Sequence, residues 1–288
     1  MKRILIIGAQ GQLGKSLSLI QNNYKDFTFF LKDKKELDIT YIDKLSKEIK
    51  NNKINIIINC AAYTDVVKAE DYKLEAIKVN AEGVNNIIQL IEGTNCKLIH
   101  ISTDYVFDGR KSSEYTEEDL VNPINYYGKT KAQGEQYIIK SNTNSIIIRT
   151  SWLFSEFKNN FIRKLITLSK IKDEIQVIKN QFGNPTYADD LAHFCLKLCS
   201  EYDNWDQTIF HFTNSGSTSR YLLAKNIADK LKLKCKIVPV DNLEQSKILR
   251  PINSSLSIKK IVKVLNHTPR GWEAALDDCL TKIRLENK

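Results

Sequence analysis

Two residues that stand four apart in the chain, Tyr127 and Lys131, carry side chains suited to acid–base chemistry. Positions i and i+4 lie on one face of a helix, so the phenol and the ammonium would be neighbours there. A nearby cation favours the phenolate and lowers a tyrosine pKa from its usual value of about 10. The pair therefore predicts a proton donor for a substrate carbonyl oxygen. The spacing alone is weak evidence, because lysine-rich helices produce it by chance.

Glycines near the start of the chain are suited to binding a nucleotide. The apolar run at 3–7 predicts a buried parallel strand, and Gly8, Gly11 and Gly14 follow it. Glycines permit a tight turn and a close approach to a pyrophosphate, while the next helix offers free N–H groups to the phosphates. The spacing differs from the commonest fingerprint, and the alternative is a strand–helix turn without a ligand. The position after a strand favours the nucleotide site.

The remaining elements must bring these two groups together. Short strand-like runs alternate with helical segments, which predicts an α/β fold with a Rossmann-type doubly wound parallel sheet and a smaller C-terminal substrate-binding lobe. Polar residues follow each predicted strand, at the edge where such sheets bind ligands. The predicted strands after the first are 27–31, 55–59, 97–101 and 145–149. The predicted division is a dinucleotide-binding domain at 1–150, to which segments from about 174–214 return, and a substrate-binding lobe at 151–173 and 215–288.

Composition excludes several classes of protein. The 288 residues suffice for one large domain or a domain with a smaller lobe. The apolar runs are too short to span a bilayer, and we expect no secretory signal. The six scattered cysteines predict reduced thiols in a cytoplasmic protein and no metal site. The net charge of +9 suits anionic ligands, and without a compact basic motif it does not indicate nucleic-acid binding.

Two further positions have both a functional and a structural interpretation. Thr103 follows the fourth predicted strand, and its hydroxyl could hydrogen-bond a substrate carbonyl beside the tyrosine. The alternative is that Ser102 and Thr103 only cap a turn. Trp152 follows the fifth strand and is equally suited to stacking on a sugar and to packing in the interior.

The chain resembles the extended short-chain dehydrogenase/reductase family, and within it the branch that reduces sugar nucleotides. The glycine loop and the Tyr-x-x-x-Lys pair are common to the whole superfamily. More specific are the run Ser-Thr-Asp-Tyr-Val-Phe-Asp-Gly at 102–109 and the run Phe-Gly-Asn-Pro-Thr at 182–186. The segments 159–161 and 250–254 extend the resemblance through most of the chain.

The resemblance implies NAD(P)H-dependent reduction of the C4 keto group of a dTDP-linked sugar, for polysaccharide biosynthesis. Tyr127 would donate the proton, Lys131 would hold the nicotinamide ribose and lower the tyrosine pKa, and Thr103 would polarise the carbonyl. The cofactor-binding residues it implies are Gly8, Gln10, Gly11, Gln12, Leu13, Gly14, Lys34, Asp38, Ile39, Ala61, Ala62, Tyr63, Tyr127 and Lys131. The substrate-binding residues it implies are Thr103, Tyr105, Trp152, Asn160 and Asn253.

The choice of cofactor depends on the residues after the second strand. Lys32, Lys34 and Lys35 could hold the 2′-phosphate of NADPH, whereas Asp33 could accept a hydrogen bond from the ribose 2′-hydroxyl of NADH. We expect NADPH, with use of NADH left open. A need for Mg²⁺ and the choice between monomer and homodimer are also left open.

Four other functions share parts of this pattern. A sugar-nucleotide dehydratase typically has an Asp-Glu pair after the threonine, but here Asp104 is followed by Tyr105. A different sugar-nucleotide reductase or an epimerase would need the same tyrosine and lysine. A non-catalytic regulatory subunit, such as that of methionine adenosyltransferase, shares the fold and much of the motif set. The intact Thr103, Tyr127 and Lys131 favour an enzyme.

Overall fold

The computed structural model describes residues 1–157, 160–206, 208–241 and 248–286. Asn159, part of one motif in the resemblance, lies outside these ranges. The strands are β1 (Lys2–Ile7), β2 (Phe27–Lys32), β3 (Ile56–Asn59), β4 (Lys97–Thr103), β5 (Ser145–Thr150), β6 (Leu153–Phe154), β7 (Glu174–Ile178), β8 (Phe182–Gly183), β9 (Thr186–Tyr187), β10 (Thr208–His211), β11 (Thr218–Ser219) and β12 (Lys236–Val240). The helices are α1 (Gln12–Ile20), α2 (Ile42–Asn51), α3 (Lys68–Asp71), α4 (Lys73–Ile77), α5 (Gly83–Ile91), α6 (Tyr126–Ile139), α7 (Phe161–Ser169), α8 (Ala188–Glu201), α9 (Arg220–Leu231), α10 (Lys259–Leu265) and α11 (Trp272–Glu286).

Six parallel strands form the central sheet, in the order β10-β5-β4-β3-β1-β2. The chain moves from β1 outward to β2 and then returns to the other side of β1 with β3. Such a reversal opens a crevice at the carboxyl ends of the two strands, which is where ligands bind in doubly wound sheets. Gly8 follows β1 and Cys60 follows β3, so both loops meet at this crevice. The predicted α/β class with a parallel Rossmann-type sheet is confirmed.

Helices cover both faces of the central sheet because its strands are apolar on both sides. Ile4 and Ile6 of β1 face a core shared with α1 and α8, and Leu5 and Ile7 face a second core shared with α2, α5 and α6. Strands β3 and β5 are buried along their whole length. These two cores hold the carboxyl ends of the strands, and hence the candidate site, in fixed register.

The helical segment between residues 73 and 91 is interrupted. Residues Lys78–Glu82 form a π-helical turn between α4 and α5. A side chain at Gly134 of α6 would lie 2.3 Å from the carbonyl oxygen of Asn80, so the glycine allows α6 to pack against this turn. Single π-helical turns are often found at functional sites, and this one carries the buried amide of Asn80.

A third core belongs to the lobe formed by later segments of the chain. It is built from buried residues of α7, α9, α11 and β7. Strand β7 pairs in parallel with β12 in a separate sheet of two strands. This pairing differs from the prediction that the segment starting at about 174 returns to the nucleotide-binding domain. Only the later part of that segment does so, because α8 packs against the central sheet and β10 pairs with β5. The division into two domains stays a prediction.

None of the helices in the described ranges is long and apolar enough to cross a membrane.

Candidate active site

The loop after β1 and the first turn of α1 each have a position at which only glycine fits. Gly8 has a φ of +83°, and a Cβ atom there would lie 2.8 Å from the backbone nitrogen of Ala61. A Cβ atom at Gly14 would lie 2.4 Å from the carbonyl oxygen of Gly8. The turn therefore stays narrow, and Gly11 precedes the first residue of α1 with its backbone extended. The free N–H groups at the start of α1 are suited to an anionic group such as a pyrophosphate.

A cavity of about 260 Å³, which we call the nucleotide cavity, opens beside this loop. Its walls come from the ends of β1 and β3 and from the segment after β2. It brings together most of the residues predicted to bind the cofactor. The predicted residues that line it are Gly8, Gln10, Gly11, Lys34, Asp38, Ile39, Ala61, Ala62 and Tyr63.

Asn80 fixes one wall of this nucleotide cavity, and the sequence analysis did not identify it. Its Oδ1 accepts a hydrogen bond of 2.8 Å from the backbone nitrogen of Tyr63, and its Nδ2 donates to the carbonyl oxygen of Tyr63 at 3.0 Å. Nδ2 also lies 3.0 Å from Oγ1 of Thr130 in α6. The wall at 61–63 is thereby tied to the helix that carries Tyr127. The signal available in the sequence was an asparagine between apolar residues in an otherwise helical pattern.

A larger cavity of about 480 Å³ continues from the glycine loop toward the lobe. It brings together nearly all the remaining predicted residues, and it is lined by the ends of β3, β4 and β5, by α6 and by the start of α9. The predicted residues that line it are Gly11, Gln12, Leu13, Ala62, Thr103, Tyr105, Tyr127, Lys131, Trp152 and Asn160. We call it the catalytic cavity.

Tyr127 lies in the first turn of α6, one turn before Lys131. Asn125 begins the helix, and its Oδ1 accepts a hydrogen bond of 2.8 Å from the backbone nitrogen of Gly128. Gly128 allows close packing, since a Cβ atom there would lie 2.1 Å from the carbonyl oxygen of Tyr105. The rings of Tyr105 and Tyr127 meet edge to face with centroids 5.8 Å apart. The phenol of Tyr127 is therefore held at the wall of the catalytic cavity.

The pKa of Tyr127 is shifted upward, opposite to the sequence prediction. Burial raises the pKa because it disfavours the phenolate, and the hydroxyl of Thr103 opposes this shift. Nζ of Lys131 lies against other groups, 2.7 Å from the carbonyl oxygen of Ile101 and 3.2 Å from Nε2 of His100. Burial also lowers the pKa of Lys131 to about 8. In this structure the tyrosine is therefore a protonated phenol at neutral pH.

Thr103 and Ser102 take different partners. Oγ1 of Thr103 donates to Oδ1 of Asp104 at 3.0 Å and accepts from the backbone nitrogen of Tyr105 at 3.2 Å. Thr103 thus caps the short 3-10 turn Asp104–Val106 and still borders the catalytic cavity. Ser102 instead donates to the carboxylate of Glu135 in the interior. Turn capping, the alternative interpretation, describes part of what Thr103 does.

A buried ion pair holds α6 against the central sheet. Nη2 of Arg149 lies 2.7 Å from Oε2 of Glu135, and their side chains are 2% and 1% exposed. Arg149 stands at the end of β5, and Glu135 lies one turn after Lys131 in α6. The pair therefore joins the helix of Tyr127 and Lys131 to the central sheet.

Comparison with known proteins identifies the family. The family described as "RmlD substrate binding domain" matches residues 1–285. The chain belongs to this family. It is 36% identical over 288 residues to dTDP-4-dehydrorhamnose reductase of Aggregatibacter actinomycetemcomitans, which covers 96% of this chain and 97% of the relative.

Two solved structures show the same fold at similar identity. The dTDP-4-dehydrorhamnose reductase of Bacillus anthracis, solved in complex with NADP, has a TM-score of 0.91 and 36% identity, covering 98% of this chain and 100% of that chain. A dTDP-4-dehydrorhamnose reductase of Clostridium acetobutylicum has a TM-score of 0.92 and 35% identity, covering 98% and 99%. The resemblance drawn from the motifs is confirmed.

Within this RmlD family member, Trp152 is packed and also borders the catalytic cavity. The guanidinium of Arg220 lies 3.6 Å from the centroid of the indole ring. A Cβ atom at Gly183 would lie 2.6 Å from the same ring. Trp152 itself has a φ of +46°, an uncommon conformation for a bulky residue. One ring face is thus taken up by Arg220, and packing is the interpretation that the contacts favour.

Arg220 is a second functional candidate that the sequence analysis did not identify. It begins α9 and lines the catalytic cavity. Burial lowers the pKa of its guanidinium to about 10, so it stays charged at neutral pH. Arginine is well suited to binding phosphate oxygens. No local motif marks this position, because its approach to the cavity depends on how the lobe packs against the sheet.

Two residues predicted to bind substrate have side chains occupied by protein contacts. Asn160 begins α7 and accepts from the backbone nitrogens of Ile162 and Arg163, while its Nδ2 donates to Oε1 of Gln12 at 2.9 Å. Asn253 lines a different cavity, and its Nδ2 donates to the carbonyl oxygen of Lys111 at 2.9 Å. Asn160 and Gln12 thus connect the lobe to the glycine loop.

The charged residues at the end of β2 and after it have different surroundings. Nζ of Lys32 lies 3.3 Å from Oε1 of Glu48. Oδ1 of Asp33 accepts from the backbone nitrogen of Lys35 at 2.8 Å, so this carboxylate caps a turn. Lys34 is exposed and lines the nucleotide cavity. The glycine turn and Lys34 fit a dinucleotide with a phosphate on its adenine ribose.

Proposed function

We propose that this protein is a dTDP-4-dehydrorhamnose reductase, which reduces the C4 keto group of dTDP-4-dehydro-L-rhamnose to give dTDP-L-rhamnose with NADPH. The observation that carries the proposal is one cavity that joins the glycine turn to Thr103, Tyr127 and Lys131. Membership in the RmlD family and the names of its relatives support it. The product would enter polysaccharide biosynthesis, and reduced cysteines are consistent with a cytoplasmic enzyme.

Each residue of the triad has a task that follows from its surroundings. NADPH, when bound, supplies the hydride for the carbonyl carbon. Tyr127 holds a proton at neutral pH because burial raises its pKa, and it donates that proton to the carbonyl oxygen as negative charge develops. Thr103 places a hydroxyl beside the same oxygen. Lys131 holds the nicotinamide ribose, and with a pKa of about 8 its amine is largely charged at pH 7.

Arg220 supplies the positive charge that a sugar nucleotide needs. The diphosphate of the substrate is anionic, and a guanidinium inside a cavity binds phosphate oxygens strongly because little water competes. The carboxylate of Asp104 also favours the cation of Arg220. We therefore assign the diphosphate of the substrate to Arg220.

Replacement of Arg220 by methionine tests this assignment. We expect Arg220→Met to raise the KM for the sugar nucleotide about 10- to 100-fold, the effect of losing hydrogen bonds to a charged group. Methionine keeps contact with the Trp152 ring, so the fold should persist. Steady-state kinetics with varied sugar nucleotide give the KM, and the Kd for NADPH serves as the control. An unchanged KM would assign the diphosphate elsewhere.

Replacement of Lys34 by serine tests the preference for NADPH. We expect Lys34→Ser to raise the KM for NADPH about tenfold, equivalent to roughly 1.4 kcal/mol, because the 2′-phosphate loses its cation. The KM for NADH should not change. Lys35→Ser is the matched control, since Lys35 is exposed and lies outside the walls of the nucleotide cavity. An equal rise in the KM for NADPH and for NADH would contradict the assigned role of Lys34.

The function itself is tested by oxidation of NADPH, followed by its absorbance, with dTDP-4-dehydro-L-rhamnose generated by the preceding enzymes. We expect oxidation that requires both the sugar and this protein, with dTDP-L-rhamnose as the product. Another keto-sugar nucleotide as the only substrate would indicate a different reductase, and tightly retained NAD with inversion of the sugar would indicate an epimerase. NADPH binding without turnover of any such sugar would indicate a regulatory subunit.

A further inference from the structure

His100 lies between the lysine of the catalytic cavity and an asparagine of the neighbouring strand. It is fully buried in β4, where it stands opposite Asn59 of β3. Its Nδ1 lies 3.2 Å from Nδ2 of Asn59, and its Nε2 lies 3.2 Å from Nζ of Lys131. Both ring nitrogens therefore face a nitrogen of a protein side chain. Nothing in the proposed reaction uses this imidazole.

The hydrogen bonds of Asn59 decide which ring nitrogen carries the proton. Oδ1 of Asn59 accepts from the backbone nitrogen of Ala61 at 3.1 Å, so its Nδ2 is the atom that faces His100. An amide NH₂ group only donates, and Nδ1 of His100 must therefore accept. A neutral imidazole has one N–H group. In this arrangement the proton is on Nε2 and is directed at Lys131.

The two charge states of Lys131 require different hydrogen bonds at His100. A neutral amine accepts the Nε2–H group of His100, whereas an ammonium has no lone pair and must donate to Nε2. Donation to Nε2 places the imidazole proton on Nδ1, which needs an acceptor on Asn59. Asn59 then has to turn its Oδ1 toward His100, and the N–H group of Ala61 loses its partner.

We propose that His100 is a positioning residue that links the charge of Lys131 to the hydrogen bond between Asn59 and Ala61, by exchanging between its two neutral tautomers. The inference rests on the proposed role of Lys131 at the cofactor. Ala61 lines the nucleotide cavity and touches the glycine turn at Gly8. The hydrogen bond that holds the cavity wall at Ala61 therefore changes together with the charge of Lys131, which holds the ribose.

The groups around Lys131 set the pH at which it loses its charge, and hence the pH at which the tautomer of His100 changes. Burial lowers the pKa of Lys131 to about 8, and the negative charge of Glu135 and of a Cys60 thiolate would oppose that shift. Burial raises the pKa of the Cys60 thiol to about 12, so Cys60 stays neutral. Burial and the Lys131 cation hold the pKa of His100 well below its usual value, so the imidazole stays neutral while its tautomer changes.

The experiment is ¹⁵N nuclear magnetic resonance of the imidazole rings in the full-length protein between pH 6 and 9.5. The chain has four histidines, and His100→Gln identifies the signals of His100. We expect His100 to change from the Nδ1–H to the Nε2–H tautomer as the pH rises through the pKa of Lys131, without forming an imidazolium. In Lys131→Met we expect the Nε2–H tautomer at every pH. A constant tautomer in the unaltered protein, or a change that persists in Lys131→Met, would overturn the proposal.

His211 is a matched control in the same spectrum. It is buried beside a cation, with its Nε2 3.5 Å from Nη1 of Arg149 and its Nδ1 3.1 Å from the carbonyl oxygen of Tyr115. A carbonyl only accepts, so His211 should keep the Nδ1–H tautomer throughout. These spectra need neither substrate nor turnover. A failed reductase assay would therefore leave this test intact, and a constant His100 tautomer would leave the reductase assignment intact.

NADPH binding gives a second readout that a purely structural role would not move. We expect the Kd for NADPH to rise as Lys131 loses its charge. In His100→Gln the amide oxygen can accept from the ammonium, so the midpoint of this rise should move upward by about one pH unit. His211→Gln should lose stability without moving the midpoint. Equal midpoints in all three proteins would contradict the link between His100 and Lys131.

Discussion

Tyr127→Phe is expected to lower kcat by at least about 100-fold, the scale of general-acid catalysis by a positioned side chain. The phenol is the proposed source of the proton for the carbonyl oxygen, and its raised pKa keeps that proton in place at neutral pH. Phenylalanine keeps the ring and hence the edge-to-face contact with Tyr105. Stopped-flow and steady-state oxidation of NADPH measure the loss, and the Kd for NADPH and the Tm should stay close to those of the unaltered protein.

The matched control for this variant is Tyr126→Phe. Tyr126 precedes the proposed donor in the first turn of α6, but its ring lies under Nζ of Lys73 at 5.4 Å and does not line the catalytic cavity. We expect this variant to turn over at nearly the original rate. Retention of full activity by Tyr127→Phe would remove Tyr127 from the proposed mechanism, whatever the result for Tyr126.

Arg149→Met is expected to lower the free energy of unfolding by about 3–5 kcal/mol, the cost of leaving one member of a buried ion pair without its partner. Glu135 would keep the hydroxyl of Ser102 but would lose the guanidinium. The guanidinium also lies 5.1 Å from the centroid of the Phe107 ring, so some packing is lost as well. Denaturation in urea at neutral pH, followed by circular dichroism, measures the change.

The double variant Glu135→Leu with Arg149→Met separates the charge from the packing. Both side chains are then apolar and of similar volume, and such replacements of buried ion pairs are often neutral or stabilising. We expect the double variant to recover most of the stability lost in Arg149→Met. A double variant as unstable as the single one would show that the packing of Arg149 is more important than its charge.

Local patterns in the sequence were sufficient to predict the elements that position the site. Runs of isoleucine in β3 and β5 indicate buried strands, and Gly8 and Gly14 mark a turn and a helix start too narrow for any side chain. Tyr127 and Lys131 both lie on α6, where a spacing of four makes them neighbours on one face. These inferences succeed because periodicity and turn chemistry depend on residues close together in the chain.

The properties that depend on distant parts of the chain were decided by the tertiary structure. The pKa of Tyr127 rises because its ring is buried in the catalytic cavity, and Nζ of Lys131 lies against His100 and Ile101. Arg220 reaches the same cavity only because the lobe packs against the central sheet. Burial and long-range pairing are sums over contacts that no local pattern records. The sequence by itself indicated the glycine turn, Thr103, Tyr127 and Lys131, whereas the packing of sheet and lobe decided the partners of these groups and brought Arg220 to the same cavity.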